Sequence, residues 1–270
     1  MQGKVVIVTG GSAGIGEAAA RSFAAMGAKV VLTGRSPATL TLAAQIGAEG
    51  HLVDYADLAQ IRAFAAQMLD RHPRIDVLAN NAGGAQDQHR LTKDGHEMTF
   101  QVNHLAGFLL TELLRDRIES SGGRVINTAS GANLMSRLDL TQPIGQAQGF
   151  SALAKYSDSK LMNILHVQEL ARRAPNLPVA CFHPGVVATE LGRDGTLFMR
   201  LFYSKFIAGL FMKTPAQGAD TLIWLATTTP GKDWQTGGYY DKRRKGRLNA
   251  RATPQAGRDL WDISVKLLGL

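Results

Sequence analysis

Short apolar runs rich in β-branched residues alternate along the chain with longer segments whose apolar residues recur at helical spacing. The runs predict strands at residues 5–8, 30–32, 51–53, 77–79, 125–128 and 179–182, and a shorter strand near residues 238–240. The segments between them predict helices at residues 17–26, 39–45, 58–70, 94–114, 154–172 and 215–228. Strands that are apolar almost throughout and alternate with helices indicate a parallel sheet covered on both faces.

This order of elements predicts an α/β fold with a single Rossmann-type, doubly wound parallel sheet and helices on both faces. The chain has 270 residues, which is an ordinary length for one such domain. No internal repeat or linker-like composition divides it, so residues 1–270 are predicted to form one domain. Ligands of such sheets bind beyond the carboxyl ends of the strands.

A glycine-rich turn follows the first predicted strand and precedes an alanine-rich helix. It reads Thr-Gly-Gly-Ser-Ala-Gly-Ile-Gly over residues 9–16. Gly10 permits the tight turn, Gly14 lets a pyrophosphate approach the backbone, and Gly16 brings the helix close to the strand. The helix N-terminus then offers unpaired N–H groups to the phosphates. The turn therefore predicts a dinucleotide site, although such a motif alone is weak evidence.

Composition and charge narrow the class of protein. Hydrophobic residues make up 45% of the chain and charged residues 19%, as in a globular protein, and the formal net charge is +8. Positive charge suits anionic ligands, but no zinc-finger spacing, heptad array or alternation of aromatic and basic residues indicates a nucleic-acid partner. The basic run at residues 242–247 is interpreted as a solvated loop.

The cellular setting is inferred from one cysteine and from the absence of targeting signals. Cys181 excludes an intrachain disulfide, agrees with a reducing compartment and is expected in the core. The first strand begins almost at the N-terminus, and no apolar stretch has the roughly 18 residues of a spanning helix. We therefore predict a cytoplasmic enzyme without a transmembrane segment.

Tyr156 and Lys160 form a candidate acid–base pair. Four residues apart on a helix, they share one face. A phenol with a pKa of about 10 is a poor acid–base catalyst at neutral pH, and an adjacent ammonium lowers that value by stabilising the phenolate. The same spacing also occurs on exposed helices where both side chains are merely solvated.

The combination of motifs resembles the short-chain dehydrogenase/reductase family over nearly the whole chain. The glycine turn, Asn-Asn-Ala-Gly at residues 80–83, Ser130, the Tyr156/Lys160 pair and Pro184-Gly185 occur in the family's order and spacing. Residues 183–185, 213–219, 237–240 and 260–262 are similar to the retinol dehydrogenase-like branch, which acts on retinoids, lipid aldehydes and polyketide-type ketones.

The resemblance implies catalytic roles for four residues. Tyr156 would exchange a proton with the substrate oxygen, and Lys160 would lower the tyrosine pKa and bind the nicotinamide ribose. Ser130 would hold the substrate oxygen. Asn103 would hold a water that links Lys160 to solvent. A strand-end turn for Ser130 and a helix-bending residue for Asn103 are the structural alternatives.

The resemblance also implies a set of nucleotide-binding residues and no metal. Asp54 would contact adenine, or alternatively cap the helix that begins near residue 57. A packed or loop position is preferred over a catalytic role for His183. The cofactor-binding set comprises Gly10, Ser12, Gly14, Ile15, Gly16, Arg35, Ser36, Asp54, Asn81, Ala82, Gly83, Tyr156, Lys160, Pro184, Gly185, Val187 and Thr189.

The end of the second predicted strand indicates which nucleotide is bound. Residues 30–35 contain no carboxylate that could accept a hydrogen bond from the ribose 2′-hydroxyl of NAD(H). Arg35 instead offers a permanently charged fork suited to the 2′-phosphate of NADP(H), and Ser12 and Ser36 add hydroxyl donors. An exposed loop arginine is the alternative. We predict NADP(H).

Substrate preference is inferred from an apolar, aromatic stretch at residues 197–213. It lies where the family places its substrate lid, at about residues 190–214, and residues 132–150 are expected to form one wall of the cleft. A bulky apolar ketone, aldehyde or alcohol is the predicted small-molecule partner. Peripheral membrane contact and a homo-oligomer interface remain alternatives for this stretch. A non-catalytic NADP(H)-binding regulator or redox sensor is the alternative function.

Overall fold

A mostly parallel sheet forms the centre of the protein. The computed structural model describes residues 1–144, 149–185 and 213–270. Within these residues the strands are β1 (Val5–Thr9), β2 (Lys29–Gly34), β3 (Glu49–Leu52), β4 (Val77–Asn80), β5 (Arg124–Thr128), β6 (Val179–His183), β7 (Gly238–Asp241) and β8 (Arg244–Lys245).

The strands lie in the order β3-β2-β1-β4-β5-β6-β7-β8. The first seven in this order pair in parallel, and β8 pairs with β7 in antiparallel orientation. The order reverses between β1 and β4, which is the switch point where ligands of doubly wound sheets bind. The predicted Rossmann-type fold is confirmed.

Helices cover both faces of the sheet. They are α1 (Gly14–Ala25), α2 (Ala38–Ile46), α3 (Leu58–Arg71), α4 (Met98–Phe100), α5 (Ala106–Ser120), α6 (Ala152–Arg173), α7 (Pro215–Thr227) and α8 (Pro254–Leu268). A π-helical turn, Gln101–Leu105, joins α4 to α5, and a 3-10 helix spans Gly131–Met135.

Alternating strand residues supply two separate cores. On β1, Val5 and Ile7 pack into the core that contains Phe108 and Leu165, whereas Val6 and Val8 pack into the core that contains Phe23. Successive side chains of a strand point to opposite faces, so a buried strand must be apolar on both. This requirement explains the nearly continuous apolar runs in the sequence.

Helix starts follow local capping chemistry. Asp57 accepts a hydrogen bond from the N–H of Ala59 and caps α3, and Ser151 caps α6 through the N–H of Ala154. Thr214 and Gln217 form a capping box at the start of α7. Each cap satisfies N–H groups that a helix start leaves without partners.

The largest boundary differences from the sequence predictions concern one helix. The helix predicted at residues 94–114 begins at Met98, because Glu97 caps it through the N–H groups of Thr99 and Phe100, and it continues to Ser120. Asp94 instead accepts a hydrogen bond from the N–H of Leu58. Helix α8 and strand β8 were not predicted.

Cys181 is buried in the sheet, as predicted, and burial raises the pKa of its thiol. Among the described residues no helix is both long and apolar enough to cross a membrane. The cytoplasmic location stays a prediction.

Candidate active site

The glycine turn after β1 packs tightly against the chain that follows β4. Gly10 and Gly14 have φ values of 63° and 59°. A Cβ at Gly10 would lie 2.8 Å from the Cα of Ala82, and a Cβ at Gly16 would overlap the carbonyl oxygen of Gly10. Both glycines are therefore required by close backbone approach, and Gly10 also by its left-handed conformation.

The N-terminus of α1 has no side-chain cap. Ala13 precedes the helix in extended conformation and offers no side-chain acceptor. The N–H groups of Gly14, Ile15 and Gly16 lie in the first turn, where no intrahelical acceptor is available. They point at the switch point with the positive end of the helix dipole behind them. A dinucleotide pyrophosphate fits this donor set.

Asn81 holds the turn in place from the neighbouring strand. Its amide nitrogen donates to the carbonyl oxygens of Thr9 and Gly10, and its Oδ1 accepts from Thr128 Oγ1 at 3.2 Å. Thr9 Oγ1 accepts from the N–H groups of Asn81 and Ala82. The ends of β1, β4 and β5 are thereby locked together. Thr9 and Thr128 are contributors that sequence reasoning missed.

The end of β2 carries the basic residue predicted to choose the nucleotide. Arg35 and Ser36 are exposed, and Arg35 forms no ion pair with any residue that the structure describes. A Cβ at Gly34 would lie 3.4 Å from Ser12 Oγ, so the glycine turn and the end of β2 are neighbours. The Oγ of Ser36 accepts from the N–H of Ala38 at 3.3 Å. Ser12, Arg35 and Ser36 thus border one edge of the turn.

Asp54 lies just beyond β3, at the same edge of the sheet. Its Oδ1 accepts from the N–H of Ala56, and its own N–H donates to the side chain of Gln60. The cap of α3 is Asp57, so the alternative that Asp54 caps this helix is wrong.

Lys160 is buried beneath Tyr156 on α6. Its Nζ donates to the carbonyl oxygen of Thr128 at 3.3 Å and lies 5.3 Å from the centroid of the Tyr156 ring. Lys160 is 4% exposed, and burial lowers its pKa to about 8. Tyr156 is half-buried. The predicted pair therefore shares one face of α6 at the end of β5.

Asn103 lies in the π-helical turn and is held by the backbone of Gly84. Its Oδ1 accepts from the N–H of Gly84 at 2.7 Å, while its Nδ2 donates to the Gly84 carbonyl and to Ser159 Oγ, both at 2.9 Å. A Cβ at Gly83 would lie 2.7 Å from Asn103 Oδ1 and 3.5 Å from Lys160 Nζ. Gly83, Asn103 and Lys160 therefore converge on one small space.

Ser130 follows β5 by two residues. Its Oγ accepts from the N–H of Ala132 at 3.2 Å, which makes it the cap of the 3-10 helix. A hydroxyl has one donor and two lone pairs, so this bond leaves its proton available for a ligand oxygen. The strand-end turn and the ligand contact are compatible at this residue.

A second donor on α6 shares the carbonyl that holds Lys160. Asn163 Nδ2 donates to the Thr128 carbonyl at 3.1 Å. Asn163 was not predicted as a site residue. It lies three residues after Lys160 on α6, a spacing that indicates a shared face but not an acceptor. The carbonyl belongs to a distant strand, so only tertiary structure identifies it.

A buried histidine pair lies behind Asn103. The rings of His104 and His166 are 6.0 Å apart, and His104 Nε2 contacts Ser264 Oγ of α8 at 3.0 Å. Burial lowers the pKa of His104 to about 4 and that of His166 to about 3. Both rings are therefore neutral at physiological pH and serve as core residues that tie α8 to the π-helical turn.

Pro184 and Gly185 directly follow β6. Lys213 Nζ donates to the Pro184 carbonyl at 3.2 Å, and a Cβ at Gly185 would lie 2.7 Å from the Lys213 side chain. Val187, Thr189 and all but the last two residues of the predicted lid lie outside the described residues.

A cavity of about 190 Å³ lies on another flank of α6. It is lined by Lys155, Asp158, Ser159 and Met162 from the helix and by Leu138, Asp139 and Ile144 from the segment before it, together with Glu97, Phe100, Gln142 and Pro143. Tyr156 and Lys160 are not among its lining residues. Residues 138–144 therefore wall this cavity, and their predicted place in a substrate cleft stays a prediction.

Comparison with known proteins connects this geometry to one family. The family described as short chain dehydrogenase matches residues 4–196. A Streptomyces sp. (strain C5) protein, provisionally named as daunorubicin C-13 ketoreductase DnrU, is 41% identical over 278 aligned residues, covering 100% of this chain and 94% of that protein. Human retinol dehydrogenase 14 is 37% identical over 298 aligned residues, covering 100% of this chain and 88% of the relative.

Solved structures give the same relationship. An uncharacterised protein from Mycobacterium paratuberculosis superposes with a TM-score of 0.79 at 28% identity, covering 99% of this chain and 94% of the other. A short chain dehydrogenase from Burkholderia cenocepacia, in complex with NADP, gives a TM-score of 0.66 at 26% identity. The match covers 83% of this chain and 91% of the Burkholderia chain.

Proposed function

Since the chain belongs to the short-chain dehydrogenase family, we propose that it is an NADP(H)-dependent oxidoreductase that interconverts a bulky apolar ketone or aldehyde and its alcohol. One observation carries the proposal. The buried Lys160 lies beneath Tyr156, at the end of β5, in the space it shares with Asn103 and Gly83. A buried ammonium beside a phenol is an arrangement suited to proton transfer.

The nucleotide would lie across the switch point. The turn from Gly10 to Gly16 and the N-terminus of α1 would hold its pyrophosphate, and Asn81, Ala82 and Gly83 would border the adenosine ribose. Asp54 would contact adenine, while Pro184, Gly185, Val187 and Thr189 would hold the carboxamide. When bound, the nucleotide supplies or accepts the hydride.

NADP(H) is proposed over NAD(H) because of the charges at the end of β2. Arg35 is exposed, forms no ion pair within the described part of the chain, and stands where NAD enzymes carry an acidic residue. Ser12 and Ser36 add hydroxyl groups beside it. The NADP bound to the Burkholderia relative supports the choice by family likeness alone.

In the direction of reduction, Tyr156 would donate its phenolic proton to the carbonyl oxygen as that oxygen gains negative charge. Lys160, with a pKa of about 8, is largely protonated at neutral pH. Its positive charge beneath the ring favours the phenolate that remains after the transfer. Reduction is the direction we propose, and oxidation would reverse the same proton transfer.

Two further residues would position the reacting groups. The Ser130 hydroxyl would donate to the carbonyl oxygen and fix its orientation. Asn103, anchored on Gly84 and Ser159, would hold the water through which Lys160 exchanges protons with solvent. Neither residue undergoes a covalent change.

The preference for an apolar substrate is supported by the sequence of residues 197–213 and by the names of relatives. One relative is named as a daunorubicin C-13 ketoreductase and another as a retinol dehydrogenase. A substrate lid at residues 190–214, and alternatively a membrane or oligomer contact there, are proposals that rest on the sequence pattern.

The proposed function is tested by measuring NADPH consumption with a panel of aromatic, polycyclic and long-chain ketones and aldehydes. Tyr156→Phe is expected to lower kcat by about a hundredfold to ten-thousandfold and to leave NADPH binding unchanged. Tyr240→Phe is the matched control, since among described residues the Tyr240 hydroxyl forms hydrogen bonds only with the backbone of Gln235.

Retained activity in Tyr156→Phe would overturn the mechanism. Tight NADPH binding without turnover of any ketone or aldehyde would instead favour the regulator or redox sensor.

A further inference from the structure

Two polar side chains stand next to each other where β6 and β7 end. His183 is the last residue of β6, Asp241 is the last residue of β7, and the two are paired in the parallel register. His183 points to the same face of β6 as Val179 and Cys181, which pack into the core on the α6 side of the sheet. Asp241 points to the same face of β7 as Tyr239, which belongs to the same core. Both side chains therefore project toward the side that carries Tyr156.

His183 also borders the residue that follows Ser130. A Cβ at Gly131 would lie 3.3 Å from His183 Nε2 and 3.6 Å from its Cδ2 and Cε1. The imidazole therefore lies against the Gly131 backbone, and on its other side the chain continues into Pro184 and Gly185. This position lies between the proposed carbonyl-binding hydroxyl and the proposed carboxamide loop.

Each side chain has a buried polar atom without a partner. His183 Nδ1 and Asp241 Oδ1 are both inaccessible to solvent and form no hydrogen bond. A buried polar atom left unpaired has lost its bonds to water without replacement, so most such atoms are satisfied in native proteins. Two of them at adjacent positions, on the substrate side of the sheet, indicate a ligand.

The charges around His183 define what it can bind. Burial lowers the pKa of His183, Asp241 opposes this effect, and the ammonium groups of Lys213 and Lys242 add to it. The ring is therefore neutral at physiological pH, with one N–H donor and one acceptor nitrogen. Beside it, Asp241 Oδ1 accepts only. A hydroxyl group, which both donates and accepts, complements this pair.

We propose that His183 and Asp241 form a subsite for a second oxygen of the substrate, a hydroxyl close to the reacting carbonyl as in an α-hydroxyketone. The hydroxyl donates to Asp241 Oδ1 and accepts a hydrogen bond from the Nδ1–H of His183. The inference rests on the proposed function, because it takes Ser130 as the residue that holds the carbonyl.

The test compares acetophenone with α-hydroxyacetophenone, which differ by one hydroxyl. Each is measured as a substrate and as a competitor of the best ketone in the panel. The quantity followed is the ratio of their kcat/KM values, or of their inhibition constants, within one variant. A reduced folded fraction scales both kcat/KM values equally and leaves inhibition constants unchanged, so neither ratio is affected.

His183→Leu is expected to lower the preference for the hydroxyketone about tenfold, the effect of one hydrogen bond. Asp241→Leu should act in the same direction. His183→Asn should keep most of the preference, because its amide reaches the position of Nδ1. Should the leucine variant of His183 not fold, the ratio in Asp241→Leu decides.

An unchanged ratio in the leucine variants, with activity that still depends on Tyr156, overturns the subsite and leaves the proposed function standing. Absence of any Tyr156-dependent turnover in the unmodified protein overturns the proposed function, and the subsite with it.

Discussion

The two ends of the proposed site are built in different ways. At the turn after β1, groups that would face a ligand are mostly backbone N–H groups. Most residues that shape the turn lie within residues 9–16, and Asn81 and Ala82 pack against them. Around Lys160 the groups are side chains from α6 and the π-helical turn, together with the Thr128 carbonyl of β5, and these elements are far apart in sequence.

This difference shows how each region tolerates substitution. The turn depends on the absence of side chains, since added atoms at Gly10 or Gly16 collide with neighbouring backbone. The Lys160 cluster depends on particular functional groups held by long-range contacts. A substitution in the turn is therefore expected to affect binding and folding, whereas one in the cluster is expected to affect turnover.

The largest effect is expected for Lys160→Met. Removing the ammonium beneath Tyr156 should lower kcat about a hundredfold to ten-thousandfold, because the phenolate loses its stabilising charge. Steady-state NADPH oxidation checks this. Lys155→Met is the control, because Lys155 is half-buried on the same helix but lines the separate cavity. Equal losses in both variants would contradict the assignment.

Lys160→Met should also change how stability depends on pH. Burial lowers the lysine pKa from 10.5 to about 8, so the unfolded chain binds more protons between these values, and this contribution to stability rises with pH. The unmodified protein should therefore gain up to about 3 kcal/mol of unfolding free energy over this range relative to the variant. Urea unfolding at about pH 7 and about pH 10 measures the difference. The same change of unfolding free energy with pH in both proteins would refute the assigned contribution of Lys160.

A smaller effect on the turn is expected for Gly16→Ala. The new Cβ would overlap the Gly10 carbonyl and lie 2.8 Å from Asn81 Nδ2, so the turn must shift. We expect a loss of about 1–3 kcal/mol of stability and an increase of about a hundredfold in the Kd for NADPH. Thermal unfolding and fluorescence titration measure these quantities.

Gly257→Ala provides the matched control in another helix. The nearest atom to its new Cβ would be Glu169 Cβ at 3.5 Å, an ordinary contact. Its stability should be unchanged or higher, since alanine favours helix. Unchanged NADPH affinity in Gly16→Ala would show that the turn does not hold the nucleotide.

The smallest effect is expected for Arg35→Ala. Loss of a charged hydrogen bond to a 2′-phosphate should raise the Kd for NADPH about tenfold and leave that for NADH unchanged. Arg71→Ala is the control. Arg71 ends α3 and pairs with Glu49 at the start of β3, so it lies at the opposite end of the strands from Arg35. A constant ratio of the two nucleotide affinities would show that Arg35 is only a surface residue.

Sequence patterns located most elements well and failed where a boundary depends on a distant contact. Strand and helix periodicity predicted seven strands and their parallel arrangement, because buried parallel strands must be apolar on both faces. The start at Met98 was missed, because Asp94 accepts a hydrogen bond from the N–H of Leu58 and Glu97 caps the helix instead. Helix α8, which contributes Trp261 and Ser264 to the core around His104, was also missed.

The sequence by itself determined the fold class, the family and the position of the glycine turn, because these depend on local spacing and on residue types. Tertiary structure decided what the functional side chains contact. Lys160 donates to the Thr128 carbonyl and Asn103 bonds Gly84 because separate parts of the chain assemble at one end of the sheet. The same assembly places His183 beside Asp241 in the strand register. Hydrogen bonds and burial act over a few ångströms in space, and that proximity is not encoded by separation along the chain.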